Sequence, residues 1–305
     1  MTTALLFPGQ GSQRPGAGES FHDAWPETRR RFDRLDERYD GDLRALCFDA
    51  GEDRLRRTEH TQPAVYAVGV TVAGAIRERY GPAVDLVAGH SLGHFTAAAH
   101  AGLYDPADGL ALVAARGRAM ARAAREAGPG RMVAVLLADP ETVTAACRAV
   151  EGASVAAYNA DRQTVVSGFE AAVERVRERV EREERARFSD LDVGAAFHSP
   201  VMAGAVDPVA AAVERTPTAR ARLPVVSDVT GERYTAPAVA RRDLVDQVRS
   251  PVDWRAVTRT LEAAGVDRYV ELPPAGTLAG FVERATDATV VTLDRPADAR
   301  EAFGS

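Results

Sequence analysis

Residues 89–93 read Gly-His-Ser-Leu-Gly and follow Ala83-Val84-Asp85-Leu86-Val87-Ala88, an apolar run with the character of a buried strand. A helical stretch, Phe95 to His100, comes after them. Gly-x-Ser-x-Gly between a strand and a helix is the pattern of a nucleophile elbow. Glycines two positions either side of Ser91 allow a sharp turn that raises the hydroxyl clear of its neighbours. The helix behind it opens with unpaired N–H groups, a ready seat for an anionic intermediate. The competing reading is an ordinary tight turn.

A serine hydroxyl is a poor nucleophile until a neighbouring base takes its proton. Six histidines are available: His22, His60, His90, His94, His100 and His198. His90 leaves the turn in a different direction from Ser91 and reads as structural or pocket-lining. His198 closes a run of small residues ending Ala195-Ala196-Phe197, where local sequence leaves a structural role and a general-base role both open. Asp192 and Asp253 could orient such a base by type, against the plainer reading of solvated carboxylates. Pro8-Gly9-Gln10-Gly11-Ser12 forms a glycine-rich loop; no Lys-Ser/Thr pair follows it, which disfavours a phosphate-binding loop.

These residues need a scaffold, and 305 of them can bury a full core in one large or two unequal domains. Hydrophobic residues make up 46% and charged residues 27%, ordinary for a globular enzyme. A net charge of −6 argues against nucleic-acid binding. All 38 basic residues are arginine, so Schiff-base chemistry and lysine general bases are excluded. Cys47 and Cys147 lie far apart in helix-like contexts, so neither a disulfide framework nor a zinc site is expected, and a reducing cytoplasm fits. The N-terminus lacks a signal-peptide pattern and no apolar run is long enough for a membrane span.

Along the chain, Thr3–Phe7 reads as a strand, residues 20–50 as charged and helical, and Gln62 to Tyr80 as a long helix with Pro63 in its first turn. Pro106 to Glu126 reads as a further helix. From Arg131 the texture changes: strand Met132–Leu137, helix Pro140–Val150, strands Val155–Tyr158 and Gln163–Gly168, helix Glu170–Arg187, and strand Ala186–Leu191. That β-α-β-β-α-β order suggests a ferredoxin-like insertion. Pro224–Ser227, Arg268–Leu272 and Thr289–Thr292 add short strands, and alternating β and α elements indicate a largely parallel sheet.

Several motifs agree in order and spacing with one family over nearly the whole chain. They are Phe7-Pro8-Gly9-Gln10-Gly11-Ser12-Gln13, Thr61-Gln62-Pro63-Ala64, Gly89-His90-Ser91-Leu92-Gly93, Arg116-Gly117-Arg118-Ala119-Met120, Asn159, Phe197-His198-Ser199-Pro200 and Ser250-Pro251-Val252-Asp253-Trp254. The chain strongly resembles the malonyl-CoA:acyl-carrier-protein transacylases, including the acyltransferase domains of polyketide synthases. The resemblance implies an α/β fold: an α/β-hydrolase-like catalytic body with a parallel sheet from residues 1–128 and 195–305, carrying a ferredoxin-like subdomain at residues 129–194.

The resemblance also implies roles. Ser91 is the nucleophile and His198 its base, oriented by the main-chain carbonyl of Gln247. The backbone N–H groups of Gln10 and Leu92 form the oxyanion hole. Arg116 clamps the free carboxylate of a malonyl-type acyl group, with Gln62, His90, Asn159 and Phe197 lining the same pocket. Phe197 before the histidine favours malonyl over its α-methyl homologue. The implied donor is malonyl-CoA or a related acyl-CoA, and the acceptor is the phosphopantetheine thiol of an acyl carrier protein. The implied reaction is ping-pong, in fatty-acid or polyketide biosynthesis. No permanent cofactor, metal, nucleic acid or membrane is implied, and a cytoplasmic monomer is expected. Competing readings are a carrier-to-carrier or non-malonyl transferase, a carrier-thioester hydrolase and a non-catalytic docking module. Arg182, Arg185, Arg187 and Arg295 are candidate carrier contacts, although interleaved glutamates suit a solvated face.

Two departures from the family pattern stand out. His94 replaces the usual glutamate three residues after the serine, which places it at the side of Ser91. Leu272-Pro273-Pro274-Ala275-Gly276 stands where a Gly-Pro-Gly-Lys-like turn is common, so that loop is expected to run differently.

Overall fold

The computed structural model describes residues 1–193 and 195–304; Gly194, at the expected subdomain boundary, lies outside the described residues. The strands run in chain order β1 (Thr2–Phe7), β2 (Leu86–Gly89), β3 (Gly130–Leu136), β4 (Ala153–Ala160), β5 (Gln163–Phe169), β6 (Arg187–Asp190), β7 (Val225–Val226), β8 (Arg233–Tyr234), β9 (Val252–Asp253), β10 (Val266–Glu271) and β11 (Thr289–Thr292).

The larger sheet has the order β11-β10-β1-β2-β7-β8. Its strands are parallel except for the β7–β8 pair at one edge, an antiparallel addition to the parallel sheet expected. β1 and β2 are apolar and buried along nearly their whole length because helices cover both faces. Phe7 pairs with Gly89, so these strands end level. The glycine-rich loop after β1 and the elbow after β2 therefore leave the same carboxyl edge side by side, where open α/β sheets hold their sites. β7 ends beside them, with Val226 opposite Ala88.

The smaller sheet has the order β6-β3-β5-β4-β9. Its first four strands are antiparallel and, with helices Pro140–Arg148 and Glu170–Glu183, follow the ferredoxin-like order. One face packs those helices in a small core around Val143, Val173, Val176 and Val180. The opposite face, with Met132, Ala134, Ala157 and Val165, joins the main core. β9 comes from the other part of the chain and pairs parallel with β4, tying the two sheets together just after Ser250-Pro251.

Two helix boundaries and two short strands differ from expectation. The first long helix runs Thr58–Tyr80, so Pro63 lies inside it. The ring removes one backbone bond near the start, and burial of both faces from Thr61 to Ile76 holds the extra turn. The charged helix stops at Glu183, where Glu184 turns extended (φ −152°); the continuing Glu/Arg run hides that end in the sequence. β8 and β9 are two residues each, too short to leave a periodic signal.

Candidate active site

Ser91 sits between β2 and helix Leu92–Ala101 with φ 52° and ψ −111°, a strained geometry for a non-glycine residue. The flanking glycines are steric necessities. A Cβ on Gly89 would lie 2.0 Å from the Gly93 carbonyl oxygen, and one on Gly93 would lie 1.9 Å from that of Phe7. The glycine-rich loop presses against the same turn, since a Cβ on Gly9 would lie 2.3 Å from the His90 oxygen. Among the described residues, the Leu92 and Gln10 amides have no acceptor within the protein. Both are free to meet a developing oxyanion.

His198, also at positive φ (53°), brings its Nε2 to 2.6 Å from Ser91 Oγ. Its Nδ1 lies 3.0 Å from the Gln247 carbonyl oxygen and 3.2 Å from that of Ser250. Two carbonyl acceptors fix the proton on Nδ1, leaving the Nε2 lone pair to accept from the serine hydroxyl. Burial, with the Arg116 charge and His90 nearby, pulls the imidazole pKa down to about 3. The ring is neutral at physiological pH, the form a base requires.

Arg116, on helix Pro106–Ala127, is 1% exposed. Its Nη1 donates to Gln62 Oε1 at 2.7 Å and its Nη2 to Gln247 Oε1 at 2.9 Å; Nη2 is also 3.5 Å from Ser91 Oγ. Nε has no partner. Burial lowers its pKa to about 10, with Asp228 opposing, so it stays cationic at neutral pH. A cavity of about 550 Å³ opens in front, lined by Ser91, His198, Arg116, Gln10, Asn159 and Phe197 on its polar and body sides. Met132, Ala134 and Val165 of the smaller sheet close its other wall. A buried guanidinium with donors to spare, beside a serine and its base, can seat an acyl group that carries its own carboxylate.

The family model described as an acyl transferase domain matches residues 4–299. The chain belongs to that family. It is 33% identical over 285 residues to the malonyl CoA-acyl carrier protein transacylase of Bacillus subtilis (strain 168), covering 92% of this chain and 89% of that protein. It is 37% identical over 316 residues to the phenolphthiocerol synthesis polyketide synthase type I Pks15/1 of Mycobacterium marinum. That match covers 99% of this chain but only 15% of the synthase. Among solved structures, MCAT from Streptococcus pneumoniae superposes with a TM-score of 0.94 at 31% identity, covering 99% of each chain. A type II PKS acyl-carrier protein in complex with its malonyl-transacylase gives 0.94 at 30% identity, covering 100% of this chain and 99% of that one.

Within this acyltransferase, Gln10, His90, Ser91, Arg116, Asn159, Phe197 and His198 line one cavity, while Leu92, Gln247 and Gln62 lie outside its lining, and Gln62 and His94 are placed differently from expectation. Gln62 is wholly buried and does not reach the cavity wall. Its Oε1 is taken by Arg116, while its Nε2 donates to Thr58 Oγ1 at 3.0 Å; that hydroxyl donates to Gln10 Oε1 at 2.8 Å. Gln62 thus links the arginine to the glycine-rich loop from behind. His94 is also wholly buried and faces away from the cavity: its Nε2 lies 2.8 Å from both the Tyr234 hydroxyl and Asp243 Oδ2. Burial pulls its pKa down, but Asp228 and Asp243 outweigh that and hold it above the usual value. His90 Nε2 donates to Asn159 Oδ1 at 2.9 Å, the amide oxygen being an acceptor only. Asp253 caps helix Trp254–Ala263 through the Ala256 amide, and Asp192 pairs with Arg56; neither touches His198.

Asp228 escapes sequence reasoning. It is 0% exposed, accepts from the Ser91 amide at 2.7 Å and takes Gln247 Nε2 on both oxygens at 3.0 Å. Burial raises its pKa, with His94 and Gln247 opposing. The available signal was position alone: a carboxylate two residues past the end of β7, at the edge that holds the site.

Proposed function

We propose that this acyltransferase moves a malonyl group from CoA to the phosphopantetheine thiol of an acyl carrier protein, through a malonyl ester on Ser91. His198 Nε2 takes the Ser91 proton as Oγ attacks the thioester carbonyl. The tetrahedral oxyanion rests on the Leu92 and Gln10 amides, a pair of donors of which each is worth about 3–4 kcal/mol in such sites. Collapse breaks the C–S bond, and His198 returns the proton to the departing thiol. The carrier's thiol then attacks the acyl-serine with His198 again as base, and Ser91 leaves with the proton. Arg116 holds the substrate carboxylate throughout, His90 and Asn159 shape the wall, and buried Phe197 restricts an α-branch. One methyl is worth about 1–3 kcal/mol in a pocket of this kind, so Phe197 sets a preference.

The buried Arg116 beside Ser91 carries this reading. Relatives named malonyl CoA-acyl carrier protein transacylase, and a neighbour solved with a carrier, support the donor and acceptor. The same arginine counts against a hydrolase clearing neutral acyl groups from carriers. We assign residues 1–128 and 195–305 to the catalytic body and 129–194 to the subdomain that walls the cavity, with the two cores in support. The test is incubation with malonyl-, methylmalonyl-, acetyl- and longer acyl-CoAs, followed by the mass of the intact protein. A single malonyl adduct, absent in Ser91→Ala and discharged by a holo carrier protein, is expected. Preferential loading by neutral acyl groups, or discharge to water without a carrier, refutes it.

A further inference from the structure

Helix Leu92–Ala101 begins behind Ser91 and ends at a second cleft of about 530 Å³, which shares no lining residue with the first. Arg31, Arg77, Arg222 and His100 line it. Among the described residues, the guanidiniums of Arg77 and Arg222 make no ion pair or hydrogen bond, although both are exposed at the rim. Arg31 gives Nη2 to Glu78 at 2.8 Å, but its Nε is buried without a partner. His100 is only 6% exposed, and among the described residues neither ring nitrogen has a hydrogen-bond partner. Burial and the three arginines drive its pKa down to about 3, which leaves it a neutral ring with one N–H to give.

The carboxylates nearby do not cancel this charge. Asp105 is committed to Arg34 at 2.8 Å and to capping the Ala107 amide at 2.9 Å, which leaves Asp108 as the remaining acid of the lining. The seats are shaped by missing side chains. A Cβ on Gly102 would lie 2.4 Å from Arg222 Nη1, and one on Gly74 would lie 3.1 Å from Arg31 Nη1. Arg31 has Glu78 as its counter-ion, but among the described residues Arg77 and Arg222 have none, and like charges held close are unfavourable unless something of opposite sign joins them.

We propose that this cleft is a second binding site, for a phosphate-bearing small molecule of at least two negative charges. Guanidinium forks match phosphoryl oxygens. Three arginines and His100 line the one cleft, and a diphosphate, with two phosphoryl groups and more than one charge, can meet several of them at once. The volume falls in the usual range for small-ligand pockets, about 300–1,000 Å³. The inference stands apart from the reaction proposed at Ser91.

Titration calorimetry with inorganic pyrophosphate, at fixed ionic strength on the full chain, tests it. Saturable binding of one pyrophosphate is expected, weakened roughly tenfold or more by the double substitution R77A/R222A and retained in Arg116→Ala. The His100 ring resonances should shift on binding in the unsubstituted protein, a readout that does not rely on the variant folding. No saturation at millimolar pyrophosphate, equal affinity in the double variant, or loss on Arg116→Ala with only His198 shifting would each overturn the proposal.

Discussion

Arg116 and Gln247 are bonded side chain to side chain at 2.9 Å, and both are buried. The same glutamine gives its backbone carbonyl to His198 and its Nε2 to Asp228 and to the Ser91 carbonyl at 2.8 Å. One residue thus holds Arg116, His198 and the Ser91 elbow in common register. Gln247→Ala keeps the carbonyl and so keeps the base oriented. It leaves the Asp228 carboxylate and one Arg116 N–H short of a partner, at about 1–3 kcal/mol for each buried group unsatisfied. The expected result is a lower kcat/KM for malonyl-CoA and reduced stability to urea, with the pH dependence of acylation unchanged. A malonyl kcat/KM equal to that of the unsubstituted protein would remove the positioning role.

Arg116→Ala should impair loading by malonyl-CoA far more than by acetyl-CoA, because only the former offers a carboxylate. Loss of a charged, buried pairing is worth about 2–5 kcal/mol, or roughly 30- to several-thousand-fold in kcat/KM. Arg116→Lys should recover little, since an ammonium cannot span Gln62 and Gln247 while meeting a carboxylate in the same plane. Initial rates with the two donors decide it; equal losses would assign Arg116 to structure alone.

How much of this was legible in the sequence follows from how local each signal is. The elbow around Ser91 is a contiguous pattern, and its glycines are dictated by contacts within a few residues or with the adjacent strand end. His198, Arg116 and Gln247 meet Ser91 only through tertiary folding, so local sequence left their roles open and motif order along the chain pointed to them. Asp228 and Tyr234 had no such guide: a buried acid pairs with groups more than a hundred residues away. His94 was misplaced because one helical turn was counted without the direction of the side chain. Helical side chains lean toward the N-terminus yet spread around the axis, and this one points beneath β7 and β8 to Asp243 and Tyr234. Gln62 was expected to line the pocket; it lies instead behind the guanidinium of Arg116, a depth that depends on helix Thr58–Tyr80 starting a turn earlier than Pro63 suggested.

Acid should separate rate from stability. The pKa of His198, held down to about 3 by burial and Arg116, keeps the base neutral well below the usual histidine range. Acylation kcat/KM is therefore expected to stay flat from about pH 8 to pH 5, with no limb at the ordinary histidine value of about 6.5. Stability behaves otherwise. His198 and His100 both refuse the proton in the folded chain, while the unfolded chain accepts it near pH 6.5. Protons then favour unfolding, by at most about 1.4 kcal/mol per pH unit for each histidine as pH falls from 6.5 toward 3. Melting temperature should drop between pH 7 and pH 5 while single-turnover acylation holds. A rate limb near pH 6.5 would mean the base titrates normally.

The elbow makes the sharpest steric prediction. Gly93→Ala places a methyl 1.9 Å from the Phe7 carbonyl oxygen, inside any van der Waals contact, and both groups are fixed by backbone in neighbouring elements. No side-chain rotation relieves it, so β1 or the helix behind Ser91 must move, and with it the Leu92 amide. Gly51→Ala is the matched control: its Cβ meets nothing within 4 Å and its φ of −70° suits any residue. The control should change stability by less than about 0.5 kcal/mol. Gly93→Ala should lose acyl-enzyme formation and either fail to accumulate as folded protein or unfold several degrees lower. Malonylation of Gly93→Ala at the unsubstituted rate would show that the strand, loop and helix are not locked together as the contacts require.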